Sequence, residues 1–224
     1  MTFSIVSRSA DAQQFGVAIA SSSPAVAARC VHGRSGVGAV ATQNITDPAL
    51  GPRVLDALGR GLTAQAALDE VLSATSYGEY RQLLTIGNGG PPAIHSGARG
   101  LGLVSAAVGV NAAAAGNLLA NAAVPDAMIT AFEAATGHLG ERLLRALGAG
   151  LDRGGEAGPV HSAGLLIVRD VSWPIVDLRV DWTDDDPVAA LSAIWRLYAP
   201  QIDDYVRRAI DPGRAPSFGV PGNL

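Results

Sequence analysis

Lysine is missing from this sequence: all 16 of its basic residues are arginine. That excludes a Walker-type phosphate loop, a Schiff-base mechanism and a lysine general base. Cysteine occurs once, as Cys30, which rules out an intrachain disulfide and a cysteine zinc cluster. Aromatic residues make up only 5% of the chain, so a core drawn from its 48% apolar residues must be built largely from Ala, Val and Leu. No stretch approaches the roughly 18 uninterrupted apolar residues of a membrane helix, and the leading end has no charged region followed by an apolar one. A soluble cytoplasmic protein is expected. The net charge is −4 and the arginines are scattered, so neither nucleic acid nor a membrane surface is an expected partner.

What is present fits one core. The 224 residues contain no long linker, which predicts a single domain over 1–210 and an irregular tail over 211–224 carrying Pro212, Pro216 and Pro221. Thr2 to Arg8 reads as a strand, Phe15 to Ser21 as a second that is apolar on both faces, Ala28 to Val31 as a short apolar stretch, and Gly36 to Gln43 as a further strand ending at the breakers of 44–48. Four strands are expected before any helix. Pro52 opens a helix over Arg53–Arg60, and Thr63 caps another reaching about Ala74. Strands return at Gln82–Ile86, Pro92–Ser96 and Leu103–Val110, the first two joined by the turn Gly87-Asn-Gly-Gly90. Helices follow from Pro125 to about Ala135 and from Leu139 to Leu151. After the glycine-rich loop 152–159 come strands Ser162–Arg169 and Ile175–Val180, then a helix from Pro187 to Tyr198, with Arg208 as its furthest extent. Helix pairs set between groups of antiparallel strands predict an α+β fold, a four-layer αββα sandwich of two facing sheets covered by helices.

Two familiar motifs fail on context. Gly36-Val-Gly-Ala-Val-Ala41 matches a dinucleotide fingerprint, with Asp56 20 residues beyond Gly36, but a β-branched stretch and Thr46-Asp47-Pro48 stand where the motif needs a helix. These glycines read instead as letting one sheet approach the other. His95-Ser96 and His161-Ser162 lack the flanking glycines of a nucleophile elbow. The four histidines show no i,i+4 spacing, so no metal and no cofactor is expected. Asp184-Asp-Asp186 before Pro187 reads as the acidic start of the last helix.

The chemistry is concentrated at the leading end. Methionine aminopeptidases remove Met1 ahead of a small side chain, so Thr2 is expected to begin the mature chain. An N-terminal Thr carries a hydroxyl nucleophile and an amine base on one residue, and that amine titrates near pH ~7.7–8.0. Three further polar spots fall in strands expected to be buried: Gln43, Asn117, and Arg179 with Asp177. Buried, each needs a partner, and the Asp177/Arg179 spacing fits a structural ion pair.

Thr2-Phe-Ser-Ile-Val6, Gly36-Val-Gly-Ala-Val-Ala-Thr-Gln43, Gly51-Pro-Arg53, Gly61-Leu-Thr63, Gly116-Asn117, Gly154-Gly155, Ser162-Ala163 and Val176-Asp-Leu-Arg-Val-Asp181 together resemble a bacterial family of unknown function classed as N-terminal-nucleophile (Ntn) hydrolase-like. The match runs in order over roughly residues 2–195. It implies the αββα sandwich and an N-terminal Thr, Ser or Cys acting on amide-type C–N bonds. Thr2 would then be the nucleophile, Asn117 or a backbone N–H near Ser21–Ser23 the oxyanion donor, and Arg29 the positive charge that holds the amine neutral, a task proteasome-like relatives give to lysine. Ser21, Ser23, Gln43, Glu156 and His161 would line the substrate site. Where the family loop tends to read Gly-Gly-Asp with a basic residue and then Gln-Ser-Ala, this chain has Glu156, no basic residue between Gly154 and His161, and His161-Ser-Ala163. The expected activity is hydrolysis of a small non-peptide amide, or deamination of an imine or enamine. The rival expectations are a non-catalytic binding or assembly protein on the same scaffold, and a hydrolase using an internal acid/base such as His161. A homo-oligomer is expected from an apolar Trp195/Tyr198 stripe and the proline-rich tail.

Overall fold

A computed structural model describes residues 2–220, so the expected removal of Met1 and the expected irregularity at Pro221 lie outside the described residues. Strands β1 (Thr2–Arg8) and β2 (Phe15–Ser21) come first. A one-turn helix α1 (Ala27–Cys30) then precedes β3 (Val31–Arg34) and β4 (Gly38–Asn44). The expectation of four strands before any helix is corrected by this turn. Helices α2 (Leu50–Gly59) and α3 (Ala64–Ser73) lead to β5 (Arg81–Gly87), β6 (Ala93–Ser96), β7 (Ser105–Val108) and β8 (Ala112–Asn117). Then come α4 (Val124–Ala134), α5 (Leu139–Asp152), β9 (Ser162–Val168), β10 (Val176–Val180), α6 (Pro187–Tyr198) and α7 (Ile202–Ile210).

The caps explain several boundaries. Thr63 accepts from the Ala66 N–H to start α3, and Asp186 accepts from the N–H groups of Val188 and Ala189 to start α6. The last helix does not run on: a 3₁₀ turn at Ala199–Gln201 separates α6 from α7. The single strand expected at Leu103–Val110 is β7 alone, and the alanine run after it forms β8.

Two antiparallel sheets result, ordered β10-β9-β2-β1-β8-β7 and β3-β4-β5-β6. The period-two alternation of strand side chains sorts the apolar residues into three layers. On one outer face, Phe3, Ile5, Ala112, Ala114, Leu165 and Ile167 pack under α4, α5, α6 and α7. Between the sheets lie Val17, Ile19, Ala39, Ala41, Leu84, Ile86, Ala113 and Ala115. On the other outer face, Val40 and Leu83 pack under α2 and α3. The expected αββα sandwich with antiparallel sheets is the observed fold. β2 is buried on both faces, as its unbroken apolar sequence requires.

Three local readings are corrected. A Cβ on Gly38 would stand 2.3 Å from the Ile86 carbonyl oxygen and 3.1 Å from Leu58, so that glycine admits its neighbour β5 and helix α2, and the opposite sheet plays no part. Trp195 is only 4% exposed, because a ring edge sits where Gly140 of α5 has no side chain, and Tyr198 donates to the Ile175 carbonyl. The proposed oligomer stripe is therefore consumed inside the chain. Arg179 is exposed on the edge strand β10, where it makes a two-pronged ion pair with Asp177 at 2.8 Å. The pairing is as expected and the burial is not.

Candidate active site

Alternation along β1 sends Phe3 and Ile5 toward the helices, so Thr2 and Ser4 point between the sheets. Neighbouring strands repeat the pattern at the same end. Ser21 closes the inter-sheet face of β2, Ser162 opens that of β9, and Asn117 closes that of β8. The register aligns them: Ser21 pairs with Ser162, and Thr2 with Asn117. Ser162, Ser21, Thr2 and Asn117 thus form a polar row across four adjacent strands, and all four are buried.

A second row faces it. Gln43, Gln82 and Ser96 are register partners on β4, β5 and β6. Buried amides need full hydrogen bonding, and these supply it to one another. Ser4 Oγ donates to Gln43 Oε1 at 2.7 Å, Gln43 Nε2 to Gln82 Oε1 at 2.8 Å and to the Ala115 carbonyl at 3.2 Å, and Gln82 Nε2 to Ser96 Oγ at 3.0 Å. Asn117 Nδ2 donates to Gln82 Oε1 at 3.2 Å, while its Oδ1 has no partner among the described residues. The amides therefore staple the two sheets together behind Thr2.

In front of Thr2 the partners are hydroxyl and loop groups. Thr2 Oγ1 stands 3.2 Å from Ser21 Oγ, which accepts the Ser23 N–H at 3.1 Å. The Ser22 N–H donates to Glu156 Oε1 at 2.6 Å. These are two of the backbone donors that the sequence suggested for an oxyanion, and both are engaged. Asn117 keeps a second amide hydrogen beyond the one given to Gln82. The residue after it, Leu118, holds φ at +51°, a costly conformation for a branched side chain.

Glu156 arrives through the glycine loop. Gly154 (φ +117°) and Gly155 (φ +56°) end α5 in the left-handed region and turn the chain over Phe3. Burial raises the Glu156 carboxyl to about 7 from an ordinary 4.5. His161 follows; its Nδ1 lies 2.8 Å from the Thr183 carbonyl, and its ring stacks on Trp182 at 4.1 Å between centroids.

Of the predicted site residues, Thr2, Ser21, Asn117, Gln43 and Glu156 therefore converge through direct contact, shared partners or strand register. Ser23 contributes its backbone, accepting from Ser162 Oγ at 2.6 Å and donating to Ser21. Arg29 directs Nη1 to the carbonyls of Pro24 at 2.6 Å and Ala25 at 3.0 Å, so its described bonds secure the 24–25 turn. Sequence reasoning missed Gln82, Ser4 and Trp182. The first two carried a signal, a polar side chain on the inward phase of a buried strand. Among the described residues no group of three or more His, Cys, Asp or Glu side chains is arranged to hold a metal ion, and no helix is long and apolar enough to cross a membrane.

Fold and site together define an αββα sandwich protein with a buried hydroxyl, amide and carboxyl cluster at one end of its facing sheets. The chain belongs to a family described as a family of unknown function (DUF1028), whose model matches residues 2–191. It is similar to the crystal structure of protein SPO2555 from Silicibacter pomeroyi, of the same family, with 29% identity, coverage of 92% of this chain and 90% of that one, and a TM-score of 0.84. Anbu, the ancestral β-subunit, from Yersinia bercovieri aligns over 91% of this chain and 97% of its own at 12% identity, with a TM-score of 0.41 that is too low to bear on function. No curated protein matches the chain.

Proposed function

We propose that this protein is a hydrolase of small non-peptide C–N bonds, acting on a small amide or deaminating an imine or enamine, built on an Ntn-hydrolase scaffold with Thr2 as nucleophile. The observation that carries the reading is the placement of the Thr2 hydroxyl within the buried polar row, 3.2 Å from Ser21 Oγ and in register with Asn117. With Met1 removed, the Thr2 amine takes the hydroxyl proton as Oγ1 attacks the carbon. Asn117 donates its second amide hydrogen to the developing oxyanion, an interaction worth ~10²–10³ in rate at comparable sites. On this reading Arg29, whose guanidinium bonds the Pro24 and Ala25 carbonyls, supplies the positive charge that favours the neutral amine. Gln43 holds the rear of the site through Ser4 and Gln82, and Ser21, Ser23 and His161 line its front. Thr2 is 6% exposed, so the reading calls for a small substrate. The reading needs no cofactor and takes the enzyme to be cytoplasmic. It also takes the enzyme to be a homo-oligomer, for which exposed Val108, the last residue of the edge strand β7, and Val110 just beyond it offer an apolar contact.

Mass spectrometry of the purified chain and a Thr2→Ala variant assayed on a panel of small amides test this. The expected results are a chain beginning at Thr2 and a loss of at least about 10³-fold in turnover for the variant. Retained Met1, or unchanged turnover by the variant, would end the proposal.

A further inference from the structure

Among the described residues, Glu156 is the one acidic side chain that is fully buried, at 3% exposure. Its main chain is pinned on both sides: the Ala120 N–H donates to the Gly155 carbonyl at 3.1 Å and the Ala157 N–H to the Leu118 carbonyl at 2.9 Å. Glu156 itself bridges Leu119, two residues beyond Asn117. Its Oε1 is held by the Ser22 N–H at 2.6 Å, and Ser22 follows the serine whose hydroxyl lies against Thr2. Oε2 is buried with no hydrogen-bond partner, and no arginine forms an ion pair with this carboxyl among the described residues. Burying an ionisable group with one oxygen unbonded is unfavourable; the chain's N-terminus, Ser22 and His161 offset that burial only in part, and a glutamine would satisfy the Ser22 N–H equally well. Such an arrangement is characteristic of a group kept for proton transfer.

The geometry points to Glu156 as the acid–base partner of Thr2, donating a proton to the leaving nitrogen of a substrate whose leaving group is ammonia or a basic amine. This rests on the reading of Thr2 as nucleophile. In the first half-reaction Thr2 Oγ1 bonds to the carbon and its proton passes to the Thr2 amine. The C–N bond then breaks as neutral Glu156 protonates the nitrogen, leaving an ester on Thr2, a carboxylate at Glu156 and a free amine. In the second, water adds to the ester while Glu156 takes its proton. The Thr2 ammonium returns a proton to Oγ1 as the ester bond breaks, and both groups are restored. The neutral acid is available below its titration at about 7, so amide turnover falls as pH rises through that value.

Two probes delivering the same acetyl group separate this role from a structural one. Acetamide releases a basic nitrogen that needs a proton, whereas p-nitrophenyl acetate releases a phenolate that needs none. In Glu156→Gln, acetamide turnover is expected to drop about 10²–10³-fold and its high-pH limb to vanish, while single-turnover acetylation of Thr2 by the ester, followed by mass spectrometry, stays within about threefold. Equal losses on both probes, or an unchanged amide pH profile, overturn the assignment and leave Thr2 in place. Failure of wild-type protein to acetylate Thr2, with Thr2→Ala indistinguishable from it, overturns the nucleophile reading and this one with it. Should Glu156→Gln not fold, carboxyl-labelled wild-type protein read by NMR decides: a Glu156 carboxyl titrating near 7 supports the role, and one at its ordinary acid value overturns it.

Discussion

Asn117 Nδ2 donates to Gln82 Oε1 at 3.2 Å, and this bond joins β8 of the six-stranded sheet to β5 of the four-stranded one at the end where Thr2 begins β1. The candidate oxyanion donor is thus oriented by a residue on the opposite sheet. That residue is oriented in turn by Gln43 and Ser96. Site geometry and sandwich assembly are one network.

Replacing Gln43 with leucine tests the network. Leucine of similar bulk removes the acceptor of Ser4 Oγ and one of the two donors to Gln82 Oε1, and it strips the side-chain donor from the Ala115 carbonyl. Stranded buried polar groups cost about 1–3 kcal/mol each, so Gln43→Leu is expected to lose at least about 2 kcal/mol in urea denaturation. A loss below about 0.5 kcal/mol would show that the amides merely occupy space.

Ser21→Ala tests the front of the row. The hydroxyl lies against Thr2 Oγ1 and accepts the Ser23 N–H, so its removal frees the nucleophile's orientation and loosens the 21–23 turn. Acetylation of Thr2 by p-nitrophenyl acetate should slow on the order of tenfold, with a stability loss of about 1 kcal/mol. Unchanged acetylation would show that Ser21 has no part in positioning Thr2.

Stability should respond to pH with two opposed slopes. Burial holds His32 and His138 below their ordinary value of 6.5, so their contribution is present above that value and is lost as pH falls through their folded-state values. Glu156 is raised from 4.5 to about 7, so its contribution is present below 4.5 and is lost as pH rises through about 7. Glu156→Gln should therefore match wild type near pH 4.5 and be more stable by roughly 3 kcal/mol at pH 8. Urea denaturation of both proteins at the two pH values measures this, and a difference that does not change with pH contradicts it.

Much of the fold was legible because inward and outward faces alternate along strands and caps mark helix ends. Thr63, Asp186 and the apolar β2 announced their elements. The strand β8 did not, since a run of alanines has little strand preference. It is extended because it lies between β1 and β7, with Ala112 and Ala114 packed beneath helices and Ala113 and Ala115 packed between the sheets. Arg179 and Trp195 were misplaced for a related reason: whether a strand is an edge, and which helix meets a stripe, is settled by neighbours far along the chain.

By itself, the sequence determined the chemical inventory: no lysine, one cysteine, a threonine at position 2, and enough patterned aliphatic residues for two covered sheets. Local rules suffice for that, since composition, periodicity and capping act within a few residues. Only the tertiary structure decided that Ser162, Ser21, Thr2 and Asn117 stand in one row, that Gln82 faces them, and that Glu156 is buried with one oxygen unpartnered. Register between strands, and the desolvation that follows from it, is set by packing across the whole sandwich, and no short stretch of chain encodes it.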